Sequence, residues 1–310
     1  QSFPMLSSIE SFARPEDYDL ESAVMKGHQK SSIGNDVILH YIRQDYPEPK
    51  TFADFVYLSQ VMQGQGIALG LRAHRAAAPY CMGTLYWQLN DAWPAVSWSS
   101  IDYYGAWKAL HYQTKRAFEP IILVPDTAKG KVLIAHDPLP NSVNALLEVS
   151  IYDFSGNLHR EISHQPVCLD YALSVETLPM PDYVLDLDQE TACRSYIHYR
   201  LIEQATGREL AFFVDYAAKV KDLDLMPAAS YTLCHWKSDE GYTVELYSGI
   251  LLKDVYIDTG SPDWHVSDNF FDALPGQTYR LQITPRAGLS KKPAELKGLR
   301  LRHMGSVLPH

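Results

Sequence analysis

Between Gly83 and Leu110 the chain reads GTLYWQLNDAWPAVSWSSIDYYGAWKAL. The apolar run Tyr80–Leu89 opens there onto Trp87, Gln88, Asn90, Asp91 and Trp93. An indole face can cover the apolar C–H side of a sugar ring, while Asn, Asp and Gln supply hydrogen bonds to its hydroxyls. That mixture, apolar with a few placed polar groups, is what a small-molecule pocket needs. Trp87, Asn90 and Asp91 are therefore the candidate saccharide-contacting residues. Each also has a plain structural explanation, since tryptophans fill cores and interfaces and Asn or Asp in a loop often braces it. Trp98 and Trp107 are assigned to packing, and Asp102 to a cap or turn. Trp87 stands out because it sits at the end of an expected strand, and parallel barrels build their sites at the carboxyl ends of strands.

The elements around this segment follow from periodicity. Phe52, Phe55, Val56, Val61, Met62, Leu69 and Leu71 fit one buried stripe of a helix over 51–74, with Thr51 as its N-cap and a bend expected at Gly64 and Gly66. A shorter helix runs from Asn35 to about Tyr46, ended by Pro47, and another covers 107–118. The run Tyr80–Leu89 is apolar on both faces, as in strands of covered parallel sheets. Helix, buried strand, loop and helix make α/β grammar, yet a closed eight-stranded barrel needs about 250 residues. The expectation is the C-terminal portion of a (β/α)8 TIM barrel over 1–118. After Pro120 short alternating strands with turns at Ser155-Gly156-Asn157 and Ala205-Thr206-Gly207 predict two immunoglobulin-like β-sandwich domains, at 119–222 and 223–310.

Composition excludes several functions. Of 310 residues, 37 are Asp or Glu and 27 Lys or Arg, a net charge of -10, so nucleic-acid and anionic-membrane binding are disfavoured. No apolar run approaches the ~20 residues of a spanning helix, so no membrane insertion is expected. Cys81, Cys168, Cys193 and Cys234 form no CxxC pair and no HExxH occurs, so no metal is expected. Cys168 and Cys193 share one expected sandwich and could pair across its sheets or stay free. Serine-hydrolase, dinucleotide and P-loop motifs are absent. The acidic groups Asp17, Asp19, Glu21 and Asp222, Asp224 read as solvated surface, and His28 and His74 as surface or helix-end residues.

The segment from Tyr86 resembles the last barrel strand and loop of glycoside hydrolase family 2 β-mannosidases, whose pattern is YWQLND-W-P-x-x-SWSSIDY-x-G-x-WKAL. The opening QSFP resembles the end of that family's E-F-G-F-Q-S-F-P motif, and HVSDNFFDALPG over 265–276 its C-terminal signature S-D-N-F-F-D-x-x-P-G. These matches at start, middle and end imply a retaining exo-β-mannosidase without cofactor, acting on a β-mannoside oligosaccharide or glycoside. By resemblance Trp87 lines the sugar pocket, with Asn90 and Asp91 following it in the loop.

In the family pattern the nucleophilic glutamate lies four positions before the glutamine matching Gln1, and the acid/base glutamate further upstream. Neither is in this sequence, so no residue here is expected to be catalytic, and this chain alone is expected to be inactive. The chain reads as a C-terminal fragment whose partner is the N-terminal half of the same enzyme. Gln1 and Ser2 are expected to be disordered, and residues before about 79 poorly ordered or dependent on that half. The resemblance implies an extracytoplasmic setting: periplasmic, secreted or lysosomal. Two alternatives stand beside it. One is a β-galactosidase or β-glucuronidase type of relative. The other is an accessory carbohydrate- or partner-binding β-sandwich module using exposed aromatics among Trp236, Tyr242, Tyr247, Tyr256 and Trp264.

Overall fold

The computed structural model of the chain describes residues 1–227, 230–289, 293–296 and 298–308. Contacts divide it into two compact units: Gln1–Ile67 with Tyr86–Thr114 and Leu225–His310, and Ala68–Leu85 with Lys115–Asp224. Among the described residues three longer helices occur, α1 (Asp36–Asp45), α2 (Phe52–Ala76) and α3 (Ala109–Ala117). α1 buries Ile38 and Ile42, one turn apart. At the start of α2 the Thr51 hydroxyl accepts from the Asp54 amide at 3.1 Å and the Asp54 carboxylate accepts from the Thr51 amide at 3.0 Å, a reciprocal cap. The helix runs unbroken through the glycines. Gly64 has a packing reason instead: a Cβ there would lie 3.1 Å from the carbonyl carbon of Ala109, so its absence lets α3 approach.

Three expectations are corrected for the N-terminal region. First, Tyr80–Leu89 is not a buried strand: Tyr80 is 97 %, Leu85 99 % and Trp87 74 % exposed. A strand needs hydrogen-bonding neighbours, and the described residues 1–118 offer only isolated bridges, not strands; no barrel sheet is assembled among them. Second, Ser2 is fully buried rather than loose, bridged to Ser97 by amide-to-carbonyl bonds of 3.0 and 3.3 Å. Third, residues before 79 are packed rather than loose, with Phe3, Ile9, Met25, Ile42 and Leu58 fully buried.

The β regions follow the alternation. In the second unit β1 (Ile121–Asp126), β2 (Lys131–His136) and β5 (Ser174–Pro179) form one antiparallel sheet, ordered β1-β2-β5. β3 (Val143–Asp153), β4 (Leu158–Leu169), β6 (Ser195–Glu203) and β7 (Glu209–Asp215) form another, ordered β4-β3-β6-β7. Leu123, Val132, Ile134, Leu147, Val149, Ile151, Ile197 and Tyr199 fill one shared core, so the two sheets make a sandwich. β1 carries Pro125 at a sheet edge, where the missing amide donor is tolerated. Arg75 of α2 ties this unit together, donating to the Ala117 carbonyl and the Asp137 carboxylate, both at 3.1 Å.

In the first unit β8 (Tyr231–Ser238), β9 (Gly241–Ser248), β11 (Trp264–Val266) and β13 (Thr278–Pro285) form an antiparallel sheet ordered β11-β13-β9-β8. It faces a second, β12-β10-β14, of β10 (Leu252–Asp258), β12 (Phe271–Ala273) and β14 (Arg300–Arg302), across a core of Val244, Leu246, Val255, Ile257, Leu281 and Ile283. The SDNFFD stretch is what fastens this sandwich to the helical part of the same unit. The buried Asn269 amide mimics a strand partner, accepting from the Ile257 amide at 2.7 Å and donating to its carbonyl at 3.1 Å. Phe270, 2 % exposed, stacks on Tyr256 and Tyr57 with centroids 5.0 and 6.1 Å away. Tyr57 donates to the Asp254 carbonyl at 2.6 Å, Gln65 to the Asp254 carboxylate at 2.8 Å, and Tyr112 to the Val266 carbonyl at 3.0 Å. Asp254 and Phe270 both stand at φ 53°, a left-handed backbone that costs a non-glycine residue energy and persists only where neighbours over-determine it. Here the Asp272 carboxylate holds the Asp254 amide at 2.8 Å and the Val255 carbonyl holds the Phe270 amide at 2.6 Å.

Two buried histidines give the fold an acid limit. Burial pushes His198 in β6 and His303 after β14 down to about 4, with Arg200 adding to the effect at His198. Between pH 6.5 and 4 the unfolded chain binds protons that the folded chain refuses, so stability falls as pH drops through that window. Each site contributes up to about 3 kcal/mol of this loss. Urea midpoints measured at pH 7 and pH 4.5 should differ strongly, and His198→Gln with His303→Gln should flatten the difference.

Candidate functional site

The turn carrying Trp87 is built on a buried polar platform. Trp87 and Gln88 are joined by a cis peptide bond. The Gln88 amide donates to the Trp98 carbonyl at 3.2 Å, and the Ser100 and Ile101 amides return to the Gln88 and Leu89 carbonyls at 3.0 and 2.9 Å. The Asp91 amide donates to the Ile101 carbonyl at 3.2 Å, so 88–91 lies along 98–101. Asp91 is buried, and its carboxylate accepts from the hydroxyls of Ser97 (2.9 Å) and Ser99 (2.6 Å) and from the Gln88 side chain (3.2 Å). Asn90 is exposed, and its side chain donates to the Asp91 carbonyl at 3.3 Å. The structure thus brings the three candidates onto one turn but gives them different surroundings. Trp87 and Asn90 face solvent, whereas both oxygens of Asp91 are taken up inside.

Beneath the turn lies Lys108, which the sequence analysis did not single out. Lys108 is fully buried, its ammonium donating to the Ser2 carbonyl at 3.2 Å. Burial pushes it down to about 8, and Asp91 and Asp102 pull it back up. The Asp102 carboxyl is pushed up by burial, while its oxygens accept from the Ala106 amide at 3.0 Å and the Met5 amide at 3.3 Å. Asp102 is the turn residue expected, closing on Gly105 at φ 86°. The Ser2 hydroxyl donates to Gln63 at 2.6 Å, and Gln63 donates to the Trp98 carbonyl at 3.0 Å. The one hint of Lys108 in the sequence is a charge between Trp107 and Ala109-Leu110, where the neighbours are apolar.

The remaining candidates resolve simply. Trp107 packs on His111 and His265 at 4.1 and 4.3 Å, in keeping with its assignment to packing. His28 ends a short helix but is not plain surface: it stacks on Phe12 at 4.1 Å and bonds the Pro94 carbonyl at 2.7 Å. A cavity of about 30 Å³ beside Trp107, Tyr112, Trp264 and Arg286 is water-sized, too small for a sugar ring. The four cysteines are free thiols. Among the described residues no group of three or more His, Cys, Asp or Glu is placed to hold a metal ion, and no helix is long and apolar enough to cross a membrane.

An Asp91→Ala change removes the carboxylate that both serine hydroxyls donate to, leaving the bonded Ser97–Ser99 pair one acceptor short, and an unmet buried donor costs about 1–3 kcal/mol. A lowered urea midpoint, with altered emission of the nearby Trp87, is the expected result. An unchanged midpoint would mean that Asp91 does not hold this turn.

Comparison with known proteins comes from three directions. Residues 229–307 match a family profile described as Ig_mannosidase, an Ig-fold domain. The chain is 28 % identical over 290 residues to the β-mannosidase of Bos taurus, covering 87 % of this chain and 33 % of that protein. It is 27 % identical over 305 residues to β-mannosidase B of Aspergillus terreus, covering 92 % and 35 %. In fold it is similar to the β-D-mannosidase of Dictyoglomus thermophilum, with a TM-score of 0.78 and 24 % identity over 98 % of this chain and 36 % of that one. The exo-chitosanase of Amycolatopsis orientalis shares the fold at TM-score 0.74 and 17 % identity, over 99 % and 41 %. The chain spans about a third of the length of the curated relatives it matches.

Proposed function

We propose that this chain, a relative of the C-terminal part of the glycoside hydrolase family 2 β-mannosidases, belongs to a retaining exo-β-mannosidase. In this reading the intact enzyme hydrolyses terminal, non-reducing β-D-mannose from an oligosaccharide or glycoside, without metal or cofactor. Residues 1–118 complete its TIM barrel, with 119–222 and 223–310 as two immunoglobulin-like domains. Retention requires two carboxyl groups about 5–5.5 Å apart, one attacking the anomeric carbon and one moving the proton. In this reading both come from the N-terminal half of the enzyme, and this chain supplies binding groups only.

The observation that carries the reading is Trp87. A large indole, 74 % exposed, stands on a turn whose backbone is tied to 98–101 by hydrogen bonds, with Gln88 and Asn90 beside it in the chain. A wide, rigid apolar face with amide groups beside it suits the C–H face and hydroxyls of a sugar. Asp91 serves by bracing the turn, Asn90 by reaching the sugar. The test is the stereochemistry of hydrolysis. With an aryl β-mannoside the intact enzyme should release β-mannose first, read by proton NMR. Initial release of the α anomer, or preference for a β-galactoside or β-glucuronide, contradicts it.

One observation favours a second reading, a saccharide-binding role for the C-terminal sandwich itself. Of its five aromatics noted in the sequence, Tyr242 is buried, Trp264 packs on it at 5.5 Å and Tyr256 stacks on Phe270. Trp236 and Tyr247 remain 43 % and 45 % exposed, on the face that Thr232 and Thr243 share by register. Retardation of the chain in a mannan-containing native gel, abolished by Trp236→Ala, would support it; equal mobility with and without mannan would remove it.

A further inference from the structure

Beneath the Trp87 turn Lys108 is fully buried, and nothing in the proposed chemistry uses it. Its surroundings are not those of a solvated surface lysine. The side chain is fully buried, and its ammonium donates to the Ser2 carbonyl at 3.2 Å. The Lys108 amide, at the other end of the residue, donates to the Ser100 carbonyl at 2.9 Å. One residue therefore grips both the segment around Ser2 and the strand-like stretch that underlies 88–91. A buried ammonium is retained at a cost, because desolvation disfavours the charged form, and a methionine of similar volume would carry no such cost.

From Ser2 a chain of hydrogen bonds leads back to the indole. The Ser2 hydroxyl donates to Gln63 at 2.6 Å, and Gln63 donates to the Trp98 carbonyl at 3.0 Å. The Gln88 amide, adjacent to Trp87, donates to that same carbonyl at 3.2 Å. All of these groups but Trp87 are withdrawn from solvent to some degree, and Ser2, Gln63 and Lys108 are buried, where hydrogen bonds are stronger and less forgiving of displacement.

We propose that Lys108 is a positioning residue of the saccharide site: by holding the Ser2 backbone it fixes the Ser2–Gln63–Trp98–Gln88 chain and with it the place of the Trp87 indole. The proposal rests on the reading of Trp87 as a pocket wall, since only then does its placement affect turnover. It predicts an effect on the sugar site from a residue that never touches sugar, and it assigns Gln63 to the same device.

The experiment uses Lys108→Met and Gln63→Ala, singly and together, in the intact enzyme, with an aryl β-mannoside as substrate. Trp87 emission is isolated by subtracting the Trp87→Phe variant. Each single variant should lower kcat/KM about tenfold or more and shift Trp87 emission. Because both cut one chain, the double variant should lose no more than about twice what the worse single loses; independent sites would multiply. Should Lys108→Met fail to fold, Gln63→Ala, which cuts the chain further along, decides alone. Unchanged kcat/KM and emission in a folded variant, or multiplicative losses, overturn the proposal. If the wild-type enzyme cleaves no β-mannoside, the functional reading fails by itself, while the emission shift still decides the role of Lys108.

Discussion

Trp87→Ala in the intact enzyme should lower kcat/KM for an aryl β-mannoside by about 100-fold, the scale of loss when a substrate is held an ångström out of place. The same substitution should leave stability within about 0.5 kcal/mol, as expected of a surface change, because the indole is 74 % exposed. That split is diagnostic. A tryptophan that served only as core would show the reverse, a large loss of stability with turnover falling only through the unfolded fraction. The measurement is steady-state kinetics beside calorimetry on one preparation. Equal kcat/KM for variant and wild type would remove Trp87 from the site.

Phe270→Ala should have the largest effect on stability, about 3–5 kcal/mol, the usual cost of truncating a buried phenylalanine. The ring is 2 % exposed, stacks on Tyr256 and Tyr57 and lies tilted against Tyr112, with centroids 5.0 to 6.1 Å away. Tyr57 and Tyr112 come from the helices and Tyr256 from β10, so one side chain joins the sandwich to the helical part of its unit. Its amide and carbonyl are engaged as well, by Val255 and by Gln113 at 3.0 Å. Against a whole-domain stability of about 5–15 kcal/mol, such a loss is a large fraction. Guanidinium unfolding followed by tryptophan emission should show the early loss, whereas Phe212→Ala, at an exposed ring, should change the midpoint little. A small shift for Phe270→Ala would mean that the signature stretch does not carry this junction.

These two residues also show what is legible in a sequence. Local signals were sufficient for α1, α2 and most strands, because a stripe such as Ile38 and Ile42 or the alternation through 143–153 is written in consecutive residues. Asp102 as a cap or turn residue was equally plain. The run Tyr80–Leu89 misled for a physical reason: apolarity on both faces states what a segment needs, not whether strands are present to supply it. Ser97, Ser99 and Lys108 left almost no local trace. Their roles depend on partners 6 to 106 positions away, and a serine in a loop looks the same whether buried against a carboxylate or wet. The SDNFFD stretch was recognisable as a family mark, but its work, an asparagine posing as a strand neighbour and a phenylalanine at positive φ, appears only once β10 lies beside it.

The most direct measurement is hydrolysis of p-nitrophenyl β-D-mannopyranoside, first by this chain alone and then after mixing it with the complementary N-terminal half of the enzyme. The account predicts no nitrophenolate from the chain alone and release on mixing, with release lost when the mixed-in chain carries Trp87→Ala. Release by this chain alone would place a working carboxylate pair within residues 1–310 and contradict the account at its centre.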